Sequence, residues 1–374
     1  MKDIEALLVL KACSLKLSED ESNEIKRYLT DEMNAGKFLY YCVHHRVVPL
    51  VWRNLEKLKI TSRLESTVRR TMRSVCADVA HRNQSFYKEI QKVNHAFSQI
   101  GIKALLLKGA ALAPLLYQDI TLREFGDVDY LIRLEDATII KEALLRLGYV
   151  QGSYNPDTQQ VIPVKRKEEI YRQMHTHELV EFIKPNPDNP GFAFMIDLNH
   201  AIFWRTDKLS RERFQIDSEI FMNNAKSVDI LGSKVYTMSP EHMLLQLCAH
   251  FYSEAVYFLW DKDWKRNKSE VCLYRFCDIR EFINALPVDW KLLLDLCRLH
   301  QLEEPVYFSL ASVRNILDTD VPEAFMNALH VDPRVINYFY GLDGHRLEWE
   351  LSLFDRLFHP WMKYEEIQRR GMIC

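Results

Sequence analysis

In the segment "LREFGDVDYLIR" two aspartates, Asp127 and Asp129, stand one residue apart at the start of an otherwise apolar run. Alternate residues of a strand share a face, so the two carboxylates would lie about 7 Å apart and repel unless something cationic offsets them. A divalent cation does so, because Mg2+ (or Mn2+) takes oxygen ligands and leaves other positions to water and phosphate oxygens. Asp197, in "FAFMIDLNH", interrupts a second apolar strand that could pair beside the first, with neighbouring strands about 4.8 Å apart. Three acids so placed can hold two ions some ~3.5–4 Å apart, which activates an attacking hydroxyl and stabilises a phosphoryl leaving group. A polyphosphate fits the remaining coordination. Lys108-Gly109, at a strand-to-helix turn, would meet it with backbone N–H groups and the positive end of a helix. Arg123, in the polar loop before the aspartates, carries a fork suited to phosphate, although a solvated loop arginine reads the same way.

These residues need a scaffold, and the hydrophobic pattern supplies one. From Ser18 to about Gln99 apolar residues recur at three- and four-residue intervals, as in "FLYYCVHHRVVPLVWRNLEKL", which predicts amphipathic helices. Gly101 ends the last of them, and the period changes. "IKALLLK" (Ile102 to Lys108) reads as a buried strand, "AALAPLLYQ" as a short helix, "DVDYLIR" as a strand, "LEDATIIKEALLRLG" as a helix closed by Gly148, and "YVQGSY" as a further strand. That alternation predicts a partly parallel sheet. Gln159 to Arg172 is charged and reads as an excursion, while "HELVEFIKP" and "FAFMIDLNHAIFW" extend the sheet as an antiparallel pair. After Ser239-Pro240, a cap-then-proline start, helical spacing returns to the end. The expected class is therefore α+β: an N-terminal helical region over 1–100, a small mixed-sheet α/β core over 101–238, and a C-terminal helical region over 239–374.

Composition narrows the function. A chain of 374 residues, nearly half apolar and about a quarter charged, can bury more than one core. A net charge of -3 argues against a broad nucleic-acid-binding surface and leaves room for a local anion site. No stretch approaches the ~20 apolar residues of a membrane-spanning helix. The eight cysteines, among them Cys13, Cys42, Cys248 and Cys374, lack paired metal-site spacing and read as reduced core thiols of a cytoplasmic protein. "LLVLKAC", ending at Cys13, is too short in its apolar part for a signal segment.

Other chemistry-bearing residues have plainer readings. The pairs Asp261/Asp263 and Asp318/Asp320 repeat the spacing of the first pair but lie in polar connections, where acids are ordinarily solvated. His175 and His177 alternate without a third ligand at recognisable spacing, and His200 is as much a core histidine as a substrate contact. His250 and Glu254 share a helix face, which favours a structural ion pair over a role for Glu254 or Asp278 as general base. Lys165, Arg166 and Lys167 read as a solvated face, and Tyr257 and Trp260 as core.

The run "LLLKGAALAPLLY…LREFGDVDYLI" with "IDLNH", together with "HHRVVPLVWRNL", "EHMLLQLCAHF" and "YRFCDIREF", resembles the bacterial family of uncharacterised nucleotidyltransferases, within the DNA polymerase β-like superfamily. The resemblance implies a polymerase β-like core in which Gly109 meets the triphosphate, Asp127 and Asp129 form the metal-binding pair, and Asp197 is the third acid. Ala110 departs from the superfamily, standing where a serine would contact phosphate. The expected activity is metal-dependent transfer of an NMP from an NTP, such as ATP, to an acceptor hydroxyl with pyrophosphate release. The acceptor could be a small molecule, a protein or an RNA end. Two alternatives stand beside it: an inactive nucleotide- or partner-binding module of the same fold, and a metal-dependent glycosyltransferase. Replacing Asp129 by Asn is expected to abolish transfer and to leave the metal-free fold as stable or more so, because it removes one clustered charge and no packing.

Overall fold

The computed structural model describes residues 3–30, 32–189, 191–202, 216, 218–260, 271–341 and 343–372. Asp261, Asp263 and Cys374 fall outside them. The chain forms two compact units: a helical unit of Met1–Val79, Thr121–Arg123 and Leu244–Cys374, and a sheet unit of Ala80–Ile120 and Glu124–Met243.

The helical unit begins with α1 (Ile4–Ala12), α2 (Glu19–Tyr28), α3 (Ala35–His44) and α4 (Val48–Lys57). "LLVLKAC" thus belongs to a core helix, with Leu8, Val9, Ala12 and Cys13 fully buried. Helix α2 starts with a capping box, in which the Glu21 backbone N–H donates to Ser18 Oγ and the Ser18 N–H to Glu21 Oε2. Such reciprocal bonds satisfy donors that a helix start otherwise leaves open. Further helices include Leu273–Ala285, Trp290–His300 and Glu303–Leu317. The expected helical run to the C-terminus is interrupted by an antiparallel hairpin of Tyr338–Tyr340 with Arg346–Glu348.

The sheet unit is built on the second part of the long helix α5 (Ser66–Gln99). Among the described residues its sheet has eight strands in the order β4-β3-β5-β6-β2-β1-β8-β7. They are β1 (Leu105–Leu106), β2 (Val128–Leu131), β3 (Val150–Asn155), β4 (Gln160–Pro163), β5 (Phe182–Pro185), β6 (Ala193–Asn199), β7 (Lys226–Ile230) and β8 (Ser233–Thr237). The sheet is mixed: β2 runs parallel to β6, and β1 to β8, while the remaining neighbours are antiparallel. The strand expected from Ile102 to Lys108 contracts to β1, because Lys108 already opens helix α6 (Lys108–Leu115). The strands β1 and β2, separated by α6 and a loop, pair antiparallel, so the parallel component comes from β2 with β6 and β1 with β8.

Two further segments differ from the sequence expectation. Gln159 to Arg172 is no loose excursion, since β4 forms a hairpin with β3 and is followed by helix α8 (Arg166–His175). Glycine permits that hairpin, because a Cβ at Gly152 would collide with the Ile162 carbonyl. The β7–β8 hairpin turns through Leu231 and Gly232, both at positive φ (52° and 80°), and its few apolar residues hid it from periodicity.

One sheet face is core. Val128, Tyr130, Phe182, Phe194, Ile196 and Leu198 pack with Phe86, Ile90 and Val93 of α5 and with Ile140 and Leu144 of α7 (Ala137–Arg146). Strand alternation sends the intervening residues of β2 and β6 to the opposite face. Those residues include the aspartates.

Candidate active site

The register of β2 against β6 pairs Asp129 with Asp197 and Leu131 with Asn199. Two carboxylates therefore sit directly side by side on parallel strands. Asp127 precedes β2 and is half-buried. The consequence falls on Asp197, whose carboxyl is held well above its ordinary pKa first by burial and then by Asp127, Asp129, Glu178 and Glu181. Its Oδ1 is buried and makes no hydrogen bond.

Asp129 is only 4% exposed and has partners. Its Oδ1 accepts from Lys108 Nζ at 2.8 Å and from Asn199 Nδ2 at 3.3 Å. The Lys108 backbone is at φ 47°, a left-handed conformation that side-chain-bearing residues rarely adopt and that tends to cluster at functional sites. Lys108 and the buried Gly109 occupy the first turn of α6, where helix geometry leaves backbone N–H groups without intrahelical acceptors. Pro114 within α6 cannot donate to the Ala110 carbonyl four residues back, and Tyr87 Oη of α5 fills that place at 2.8 Å. This bond ties α6 to the helix that supports the sheet.

Two further acids join the face, and periodicity missed them. Glu178 and Glu181 are three apart in "HELVEFIKP", a spacing that a regular strand divides between faces. Pairing of β5 with β6 matches Phe182 to Ile196, yet upstream Glu178 bridges to Asn199. Four steps on one strand therefore oppose three on the other, a β-bulge that re-aims the side chains. Arg172 of α8 then reaches both, Nη1 to Glu178 Oε1 at 2.7 Å and Nη2 to Glu181 Oε1 at 3.1 Å. Burial raises the Glu178 carboxyl above its ordinary pKa, against the pull of Arg172 and Lys108.

A family described as "Uncharacterised nucleotidyltransferase" matches residues 31–318, most of the chain. The chain belongs to this family. Membership points in general to nucleotidyl transfer and to a nucleotide substrate. A crystal structure of an antigenic nucleotidyltransferase-like protein from Paracoccidioides brasiliensis is similar at 16% identity, covering 69% of this chain and 97% of its own, with a TM-score of 0.30. A superposition that loose carries no structural detail across. No curated protein matches.

Within this nucleotidyltransferase-family chain, Asp127, Asp129, Asp197 and Lys108 act on one another, with Gly109 beside Lys108 in sequence. Arg123 is grouped with the helical unit. Its Nε and Nη2 donate to Asp278 Oδ1 and Oδ2 at 2.9 and 2.7 Å, and its guanidinium lies 4.2 Å from the Tyr274 ring centroid. Asp278 is thereby paired as well. Glu254 pairs with His250 at 3.4 Å and with Arg275, and Asp318 is exposed.

The fit of a cation can be tested on the side chains themselves. Asp197 offers a buried oxygen without a donor, in a field of like charges. That environment suits a cation. Among the described residues no three His, Cys, Asp or Glu side chains are already gathered as a metal site. Mutual repulsion and the Lys108 bond to Asp129 both oppose such gathering in the metal-free protein. The same bond bears on the expectation for Asp129→Asn. Asp129 is the compensated member of the cluster and Asp197 the uncompensated one, so removing charge at Asp129 eases the repulsion at Asp197 but also strands Lys108.

Among the described residues no helix is long and apolar enough to cross a membrane.

Proposed function

We propose that the chain is a metal-dependent nucleotidyltransferase with a polymerase β-like core, moving an NMP from an NTP to an acceptor hydroxyl with release of pyrophosphate. The observation that carries this reading is the in-register pairing of Asp129 with Asp197, with the Asp197 oxygen lacking a donor and Asp127 close enough to raise its pKa.

Asp127, Asp129 and Asp197 would hold Mg2+ or Mn2+. When bound, the ions supply a Lewis acid for the α-phosphate and charge neutralisation at the acceptor and leaving oxygens. The chain's own groups do the rest. The Lys108 ammonium and the first turn of α6 at Gly109 bind the triphosphate, and the sheet fixes the carboxylates so that little reorganisation is needed as charge develops. The acceptor hydroxyl oxygen forms its bond to the α-phosphorus, its proton passing to solvent, as the bond to the bridging oxygen breaks and pyrophosphate leaves. Arg123 has no part in this assignment, because Asp278 takes up its fork.

Ala110 supports a second reading, a nucleotide-binding module without turnover, since no hydroxyl stands beside Gly109 for the phosphates. Incubation with labelled NTPs, Mg2+ and candidate acceptors (small hydroxylated molecules, proteins, RNA ends) separates the two. Label transfer with pyrophosphate release supports the enzyme; magnesium-dependent NTP binding with no transfer to any acceptor supports the module.

A further inference from the structure

Asp129 lies beside another carboxylate on the neighbouring strand, so in the nucleotide-free protein it needs a positive charge close by. Lys108 provides it at 2.8 Å. On the nucleotidyltransferase reading above, we infer that Lys108 is an internal counter-ion: it neutralises Asp129 in the nucleotide-free protein and passes to phosphate oxygens when nucleotide enters, releasing Asp129 to a cation.

Three features point this way. The first is geometric. Lys108 is the opening residue of α6, so its ammonium is rooted at the helix start that would receive phosphate, and a change of rotamer separates the two partners. The second is access to solvent. Its side chain is 23% exposed against 6% for Asp129, so the lysine has a route to solvent while the acid stays fixed on β2. The third is the contrast with Arg172, which spans both Glu178 and Glu181 through two nitrogens. A planar fork holding two acids is a fixed clamp, whereas one ammonium on a flexible stem exchanges partners readily. The Lys108 backbone holds the unfavourable left-handed conformation while its ammonium reaches Asp129.

A consequence separates this role from simple phosphate binding. A cation arriving alone must displace Lys108, whereas a cation arriving with nucleotide finds Lys108 drawn to the phosphates. Metal and nucleotide therefore bind with positive coupling, and Lys108 is the reason metal alone binds poorly. A lysine placed only at the phosphates and away from Asp129 would affect nucleotide affinity far more than the affinity for metal alone.

The test is calorimetric titration of Mn2+ into the full chain, with and without a non-hydrolysable NTP analogue, after circular dichroism melting has established that each variant is folded. Lys108→Met is expected to bind Mn2+ alone about tenfold or more tightly than the parent, since a unit positive charge near the site is gone, and to lose most of the nucleotide dependence. Lys108→Arg gives the opposite sign: its fork holds Asp129 harder, so Mn2+ alone binds more weakly than to the parent. Should the methionine variant not fold, the arginine variant decides. Mn2+ affinity without nucleotide that is unchanged or weaker in Lys108→Met, or unchanged or stronger in Lys108→Arg, overturns the counter-ion role while leaving the nucleotidyltransferase reading intact. A parent that binds no Mn2+ even with the analogue overturns that reading and the counter-ion with it.

Discussion

Asp278 in the helical unit and Asp129 in the sheet unit are buried to almost the same degree, 3% and 4% exposed, and each meets a cation. Asp278 is gripped by the two-nitrogen fork of Arg123, itself 6% exposed and laid against Tyr274. Asp129 has one ammonium on a partly exposed stem, and its cross-strand neighbour Asp197 has an oxygen with no hydrogen bond at all. Both charges of the first pair are consumed. The second arrangement leaves negative charge over. Burial of an acid thus says little about its role until its partners are counted: a closed, bidentate pair belongs to structure, and an under-compensated cluster is poised for a ligand.

The first way to break this comparison is to open the closed pair. Arg123→Met leaves Asp278 buried without its cation and is expected to destabilise the helical unit by about 3–5 kcal/mol, the usual cost of stranding one partner of a buried pair. Urea unfolding followed by tryptophan fluorescence measures it, and a loss under about 1 kcal/mol would mean Asp278 finds other compensation.

The matching change on the open side should behave oppositely. Asp197→Asn removes the uncompensated charge at nearly constant shape, so the metal-free protein should melt at the same temperature or higher in EDTA. NTP transfer should fall about 10²–10³-fold or further, because a group aimed at developing charge is weakened. A variant that melts well below the parent gives Asp197 a structural role, and one with normal turnover removes it from the chemistry.

The helical unit also carries a burial cost of its own. His45 is fully buried and its Nδ1 accepts from the Leu273 N–H at 3.4 Å, which keeps the ring neutral. Burial, with a smaller push from His44, sets its pKa well below the ordinary value. The sign follows directly. The unfolded chain binds this proton below pH ~6.5 and the folded one does not, so stability is full above that pH and falls as pH drops, by up to about 1.4 kcal/mol per pH unit. In His45→Gln that part of the acid sensitivity should vanish from urea midpoints taken between pH 7 and pH 5.

The smallest effect is reserved for the open pair itself. Lys108→Met leaves Asp129 buried beside Asp197 without its cation and should destabilise the protein in EDTA, but by less than Arg123→Met does, because Lys108 is partly exposed and Asn199 still donates to Asp129. A loss as large as that from Arg123→Met would erase the distinction between the two pairs.

Much of the candidate site was legible in the sequence because it is written in strands. Asp127, Asp129 and Asp197 interrupt otherwise apolar runs, and strand alternation puts Asp129 and Asp197 opposite the core once packing shows which face is core. Glu178 and Glu181 were hidden because a bulge, which depends on pairing with β6, overrides their spacing. The β7–β8 and C-terminal hairpins were hidden for want of apolar alternation. Arg123 was legible as a phosphate-type fork, but its partner lies 155 residues away.

The sequence by itself determined the α+β layout, most of the buried strands and three acids, Asp127, Asp129 and Asp197, set in or beside them, since these follow from local periodicity and the cost of placing charge in an apolar run. Tertiary structure alone decided which of those acids are compensated. Lys108 lies 21 residues before Asp129, and Asp278 lies 155 after Arg123. Electrostatic compensation depends on distance in space, and no pattern along the chain encodes it.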